Sequence, residues 1–266
     1  MNFYEIIGYD RDGTVRELDT ALNKGTLTTR DVTFSALGFN APGWIAASSM
    51  SILYSISGHH APLAILIAYF FPMLVMAFCM ISLTRQAPSA GGVFTFTSRF
   101  LHTSVGTILG WAYSVACTAV MAMCAIIGTE YIQALFPALA GALNAKLIGT
   151  GMVLVFLAIS CKGVNATAKI ASIFLIFEIG VVAGLGLMGI IDPQVPDLSV
   201  LSMYTPEGAD GWSAIGPGVL FGVWMLANFD SAINYIEESR IPVRTVQRSM
   251  LLVLTSAFVI YTLAAI

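Results

Sequence analysis

Gly38-Phe39-Asn40-Ala41-Pro42-Gly43-Trp44 decides how this chain is read, because it interrupts an apolar run that extends from Val32 to Ser57. Proline at 42 has no amide to offer the carbonyl of Gly38, and it disfavours helix at Ala41. A continuous helix therefore breaks or kinks there. In hydrocarbon, freed backbone groups are tolerated only against other protein or a wet cavity, so a break at mid-span points to a binding site. A plain proline kink is the competing explanation, and this stretch alone leaves both open.

Lipid is the solvent that the rest of the chain fits. Of 266 residues, 57% are hydrophobic and 10% charged, against about 25% charged in soluble domains. A spanning helix needs about 20 mostly apolar residues. The hydropathy pattern predicts seven such segments, near Val32 to Ser57, Pro62 to Thr84, Gly106 to Gly128, Leu147 to Ser160, Ala168 to Ile191, Gly216 to Ile236 and Met250 to Ile266. The fourth is short, which suggests either extension toward Asn144 and Cys161 or burial among other helices. The expected fold class is all-α, a polytopic helical membrane protein of about seven transmembrane helices.

The basic residues orient it. With the N-terminus inside, Arg11, Arg16, Lys24, Arg30, Arg85, Arg99, Lys162, Lys169, Arg240, Arg244 and Arg248 all fall on the cytoplasmic side, and Lys146 alone falls outside. Lysine and arginine in short loops set topology, so this asymmetry supports both the orientation and the number of spans. The first 30 residues lack the apolar core of a signal peptide and are expected to form a cytoplasmic tail. The loop with Asp192, Asp197, Glu207 and Asp210 is expected outside, with Tyr131 and Trp212 at the outer interface.

Two carboxylates fall deep in apolar segments. Asp230 follows Trp224-Met225-Leu226-Ala227-Asn228-Phe229, and Glu178 lies in Ile173-Phe174-Leu175-Ile176-Phe177 before Ile179. A central charge costs about 3 kcal/mol on the insertion scale, while each Leu, Ile, Phe or Val returns about 0.3 to 0.6, so the spans still insert. Intramembrane carboxylates usually face a bundle interior or an aqueous path, which makes Asp230 and Glu178 the proton-coupling candidates. A structural hydrogen bond is the bland alternative for Asp230, and an inert neutral acid is the bland alternative for Glu178. Asp230 is the stronger candidate because it adjoins an expected break in the sixth span.

Other motifs fail on context. Gly184-Leu185-Gly186-Leu187-Met188-Gly189 has GxGxxG spacing but follows no strand, so close helix packing is expected of it and of the Gly180, Gly184 pair. Cys79, Cys117, Cys124 and Cys161 form no CxxC pair, and His59, His60 and His102 have no ligand set. No metal and no cofactor are expected. No basic tract suggests nucleic acid.

Several segments taken together resemble the amino acid permeases of the amino acid, polyamine and organocation superfamily. They are the first-span break from Gly38 to Trp44, Pro88-Ser89-Ala90-Gly91-Gly92-Val93-Phe94, Lys162-Gly163-Val164-Asn165, and Phe229-Asp230-Ser231 followed by Glu237-Glu238-Ser239-Arg240-Ile241-Pro242-Val243-Arg244. The resemblance implies two inverted five-helix repeats, with the first and sixth helices unwound at mid-membrane around the substrate and commonly about twelve spans in all. It implies a tail over 1–31, a first repeat over 32–191, and an outer loop with the first two helices of an incomplete second repeat over 192–266. Because the sequence stops at Ile266 inside an apolar run, truncation is the expectation. The implied substrate-binding set is Gly38, Asn40, Ala41, Pro42, Gly43, Trp44, Trp224, Ala227 and Asn228. Relatives often have a Gly-Ser-Gly-like stretch at the first break, a glycine at the position of Asn228, and a lysine near Glu178; this chain departs at all three.

The function expected is alternating-access transport of an amino acid or related amine, with lipid and a small-molecule substrate as partners and a proton as the candidate coupling ion. A seven-helix receptor is the alternative, opposed by the inside N-terminus and by the absence of a lysine in the last span. A membrane-embedded enzyme is a third reading, for which the sequence offers no convergent nucleophile and base.

Overall fold

Helix ends in this chain are set by local chemistry that the sequence already displays. The computed structural model describes residues 25–161, 164–191 and 211–265. The residues before Gly25, Lys162 and Gly163, and the acidic segment 192–210 lie outside the described residues, as does the side chain of Trp212. Helix α1 covers Thr29–Asn40. It begins three residues before Val32 because Thr28 and Asp31 form a reciprocal cap, with Thr28 N donating to Asp31 Oδ2 at 2.9 Å and Asp31 N donating to Thr28 Oγ1 at 3.4 Å. Ala41 then takes a left-handed conformation, φ 48° and ψ 66°, and Pro42 opens α2, Pro42–Ser57, at the position where its missing amide costs least.

The remaining elements are α3 (Ala61–Gln86), α4 (Gly92–Phe100), α5 (Thr103–Leu135), α6 (Ala142–Ser160), α7 (Val164–Ile191), α8 (Gly211–Met225), a 3₁₀ helix (Phe229–Glu238) and α9 (Pro242–Ala264). Within α3, Pro72 sits in a π turn, Tyr69–Met73, where the Leu74 amide reaches back to the Tyr69 carbonyl. The widened turn absorbs the proline without ending the helix. Five segments among the described residues are long and apolar enough to cross a membrane: Ala61–Gln86, Thr103–Leu135, Ala142–Ser160, Ser213–Glu238 and Pro242–Ala264. The first expected span is present but divided at Ala41, and α7 contributes the shorter apolar stretch Ile170–Gly184. Boundaries moved outward: the fourth segment starts at Ala142 rather than Leu147, and the seventh at Pro242 rather than Met250. Polar residues at helix ends hide the last turns from a hydropathy window. Glu130 accordingly lies inside α5, exposed near its C-terminal end.

The chain forms two compact units, one of Met1–Gly92 with Ala171–Ile266 and one of Val93–Ile170. In the first, α9 packs on α1 and on the 3₁₀ helix, and α8 packs on α2 and α3. Leu53, Ile65, Met73, Met225, Leu226, Phe229, Ile233 and Leu254 fill its core. Glycine pairing differs from the expectation. Gly180 and Gly184 have nothing within 4 Å of the position a Cβ would take, whereas at Gly218 that atom would stand 1.9 Å from Ser57 Oγ, and at Gly222 it would stand 3.0 Å from Ala68 Cβ. The close helix contact is therefore α8 on α2 and α3, made by Gly218 and Gly222 against Ser57, Ala64 and Ala68.

Three segments far apart in sequence also meet in this unit. Leu27 bridges to Ser239, the Arg240 amide donates to the Leu27 carbonyl at 2.9 Å, and the Ala90 amide donates to Glu237 Oε1 at 3.2 Å. Two of the stretches that carried the family resemblance are thus hydrogen-bonded to each other.

The second unit is built on the α5 and α6 pair. Small residues set its spacing: a Cβ on Gly128 would come within 2.9 Å of Met152 Cε, and one on Gly110 within 3.0 Å of the Phe94 ring. Trp111, Leu143, Leu147, Leu154 and Phe156 are exposed. Soluble monomers rarely show so continuous an apolar surface, and lipid accounts for it.

Candidate functional site: two helix breaks joined by Asn40

Ala41 and Asn228 are the non-glycine residues with positive φ among the described residues, at 48° and 66°. One ends α1 and the other precedes the 3₁₀ helix, so the chain holds a disfavoured backbone conformation at each of the two expected breaks. Such strain persists where the surroundings fix it, and it concentrates at ligand sites and switch regions. The carbonyl of Gly38, expected to be freed by Pro42, accepts instead from the Ala41 amide at 3.2 Å.

Asn40 ties the breaks together. Its side chain is buried, its Nδ2 donates to the Ala227 carbonyl at 2.6 Å, and its Oδ1 accepts from the Tyr261 hydroxyl at 2.5 Å. The amide thus uses a donor and an acceptor on two other elements, as a polar group in an apolar interior must. Ser231 adds a longer contact, donating to the Ala36 carbonyl at 3.5 Å. Tyr261 lies on α9 and is fully buried. It was not singled out from the sequence, although a phenol inside a span needs a hydrogen-bond partner, which was the available signal.

Glu178 meets the first break from α7. The Gly43 amide, in the first turn of α2, donates to Glu178 Oε2 at 3.3 Å. A Cβ on Gly43 would stand 3.0 Å from both Cβ and Cγ of Glu178 and 3.2 Å from its Cδ, so the glutamate lies along the face that glycine leaves open. An amide at the start of a helix is a favourable place for a carboxylate.

The structure brings Asn40, Ala41, Pro42, Gly43, Ala227 and Glu178 into one neighbourhood of the first unit. Gly38 faces α7, where its added Cβ would touch Ala171 Cβ at 3.6 Å. Trp44 is partly buried, and its carbonyl accepts from Ser48 Oγ at 2.8 Å. Trp224 is half exposed near the end of α8 and pairs with Phe221, ring centroids 5.3 Å apart. Asn228 is exposed at the turn, and Asp230 is partly buried in the first turn of the 3₁₀ helix, where its carboxylate takes its own backbone amide.

A separate groove of about 570 Å³ lies in the second unit, between α5 and α6, and includes Glu130, Gln133, Lys146 and Thr150. It holds none of the residues expected at the breaks. Among the described residues, no group of three or more His, Cys, Asp or Glu side chains is placed to hold a metal ion.

No curated protein and no solved structure matches the chain. The family model described as "Amino acid permease" matches residues 27–266, from the first capped turn through both breaks to the last helix. The chain therefore belongs to the amino acid permease family, whose members transport amino acids or related compounds.

Proposed function

We propose that the protein is a multi-pass transporter of the cell membrane, with a cytoplasmic N-terminus, that moves an amino acid or related amine by alternating access about the two breaks. The observation that carries this reading is the Asn40 bridge between left-handed turns at Ala41 and Asn228. Each turn ends a helix within an apolar segment, and a site built there exposes backbone groups to a substrate. The first and sixth spans are joined by side-chain hydrogen bonds from Asn40 to Ala227 and from Ser231 to Ala36, and Asn40 has a further partner on α9, so a change at any of the three elements is felt by the others. The meeting of Leu27, Ala90 and Glu237 in one unit supports placing these segments on the same side of the membrane, as the basic residues do. The inverted repeat over 32–191 and 192–266 is part of the same proposal.

Asp230 is the proposed proton carrier, because it adjoins the break in the sixth span and sits in the first turn of the 3₁₀ helix that follows it. Uptake of labelled amino acids and amines into proteoliposomes under an imposed pH gradient tests the reading. Accumulation of at least one amino acid or amine is expected, and uniform failure with well-inserted protein would sink it. Asp230→Asn keeps the shape and fixes the neutral state, so pH-driven accumulation should fall about tenfold or more while substrate exchange persists. Wild-type pH dependence in Asp230→Asn with loss in Glu178→Gln would move the proton to α7, and retention in both would end the proton-coupling proposal.

A further inference from the structure

At each break, one backbone polar group is already occupied by a side chain of the chain itself. At the first break, the Gly43 amide is bonded to the Glu178 carboxylate, and the glutamate stem fills the space beside the glycine. At the second, the Ala227 carbonyl is taken by the Asn40 amide. A zwitterionic α-amino acid docked at these breaks would seek the same amide with its carboxylate and the same carbonyl with its ammonium. Its carboxylate would then have to displace Glu178 or lie against it, and two carboxylate charges brought together disfavour binding. An amine without a carboxylate meets no such conflict, because it brings no second carboxylate to the break and can pair with Glu178.

Resting on the reading of the breaks as the substrate site, we propose that this site takes an organic amine lacking an α-carboxylate, with Glu178 occupying the place of the substrate carboxylate and serving as counter-ion to the ammonium. Three features support a resident Glu178. Its stem packs along Gly43 over three consecutive carbons, which a side chain visiting from a distance would not do. Gly43 is the residue type that leaves this space, so the fit belongs to both partners. Gly43, which bonds Glu178, lies three residues after Asn40, so the glutamate belongs to the same cluster as the bridge between the breaks.

Equilibrium binding to the full-length protein in lipid nanodiscs tests this, using amino acids paired with the amines that differ from them only by loss of the carboxylate: lysine with cadaverine, ornithine with putrescine, histidine with histamine, tyrosine with tyramine. In at least one pair the amine should bind about tenfold or more tightly than its amino acid, which is about 1.4 kcal/mol. Glu178→Gln should weaken that amine by a similar factor. Glu178→Ala frees the Gly43 amide and should shift the ratio toward the amino acid. Preference for the amino acid in every binding pair would overturn the inference while leaving the transport reading intact. Preference for an amine that Glu178→Gln leaves unchanged would overturn the role of Glu178. Absence of binding by all eight compounds would overturn both. The wild-type comparison needs no variant, so it stands even if a substitution at 178 fails to fold, which size-exclusion chromatography would show.

Discussion

Asn40 is the residue that joins the two breaks. Replacing it by Leu keeps comparable bulk but leaves the Tyr261 hydroxyl and the Ala227 carbonyl without their partner. Each buried unsatisfied group costs about 1–3 kcal/mol, so Asn40→Leu should destabilise by about 2–4 kcal/mol in denaturant unfolding in micelles. Tyr261→Phe removes one donor and should cost about 1–2 kcal/mol. The double variant should lose less than the sum, because both substitutions remove the same bond; strict additivity would mean that the bond is not formed. Asn228 allows a second test at this scale. Its left-handed backbone suits Asn or Gly and opposes a β-branched side chain, so Asn228→Val should cost about 1–2 kcal/mol while Asn228→Gly stays within about 0.5 kcal/mol. Equal stabilities would argue against a left-handed turn.

At the scale of elements, glycine placement distinguishes packing from mere composition. Gly218 lies where α8 approaches α2 and α3, and Ser57 Oγ cannot swing away freely because it donates to the Ala214 carbonyl at 3.1 Å. Gly218→Val should overpack this contact and destabilise by about 1–3 kcal/mol. Gly180 has open space, so Gly180→Ala should be neutral or stabilising by about 0.5–1 kcal/mol through helix propensity. Thermal unfolding of the two variants side by side checks this, and the reverse order would place the close contact on α7. The 3₁₀ helix after Asn228 is a further element-level feature. It runs for ten residues, where such helices usually stop after about three or four. Tight turns of this kind mark hinges, and this one carries both Asp230 and the Glu237 contact to Ala90.

For the whole molecule, topology is the property to measure. With the native cysteines replaced, single cysteines at Gly58 and Gly208 should label from outside, and one at Ser89 only after permeabilisation; outside labelling at Ser89 would refute the orientation. The fold was largely legible, because hydropathy is additive along the chain and each apolar run reports its own solvent. Proline chemistry is local too, so the break at Ala41 and Pro42 could be located from seven residues, and Asp230 and Glu178 stood out because charge in hydrocarbon is rare. The partners of those groups could not be read. Asn40 reaches Ala227 across 187 residues and Gly43 meets Glu178 across 135, and a local pattern carries no information about which distant atom arrives. The same limit explains why the glycine pair at Gly180 and Gly184 drew attention while Gly218 and Gly222 make the contact: spacing is a property of one helix, and close approach is a property of two. The sequence by itself determined a helical membrane protein interrupted at Pro42, because solvent preference and proline's missing donor act within a few residues. Only the tertiary structure decided that Glu178 and Asn40 occupy what the breaks release, because a hydrogen bond needs two groups within about 3 Å and only packing brings them there.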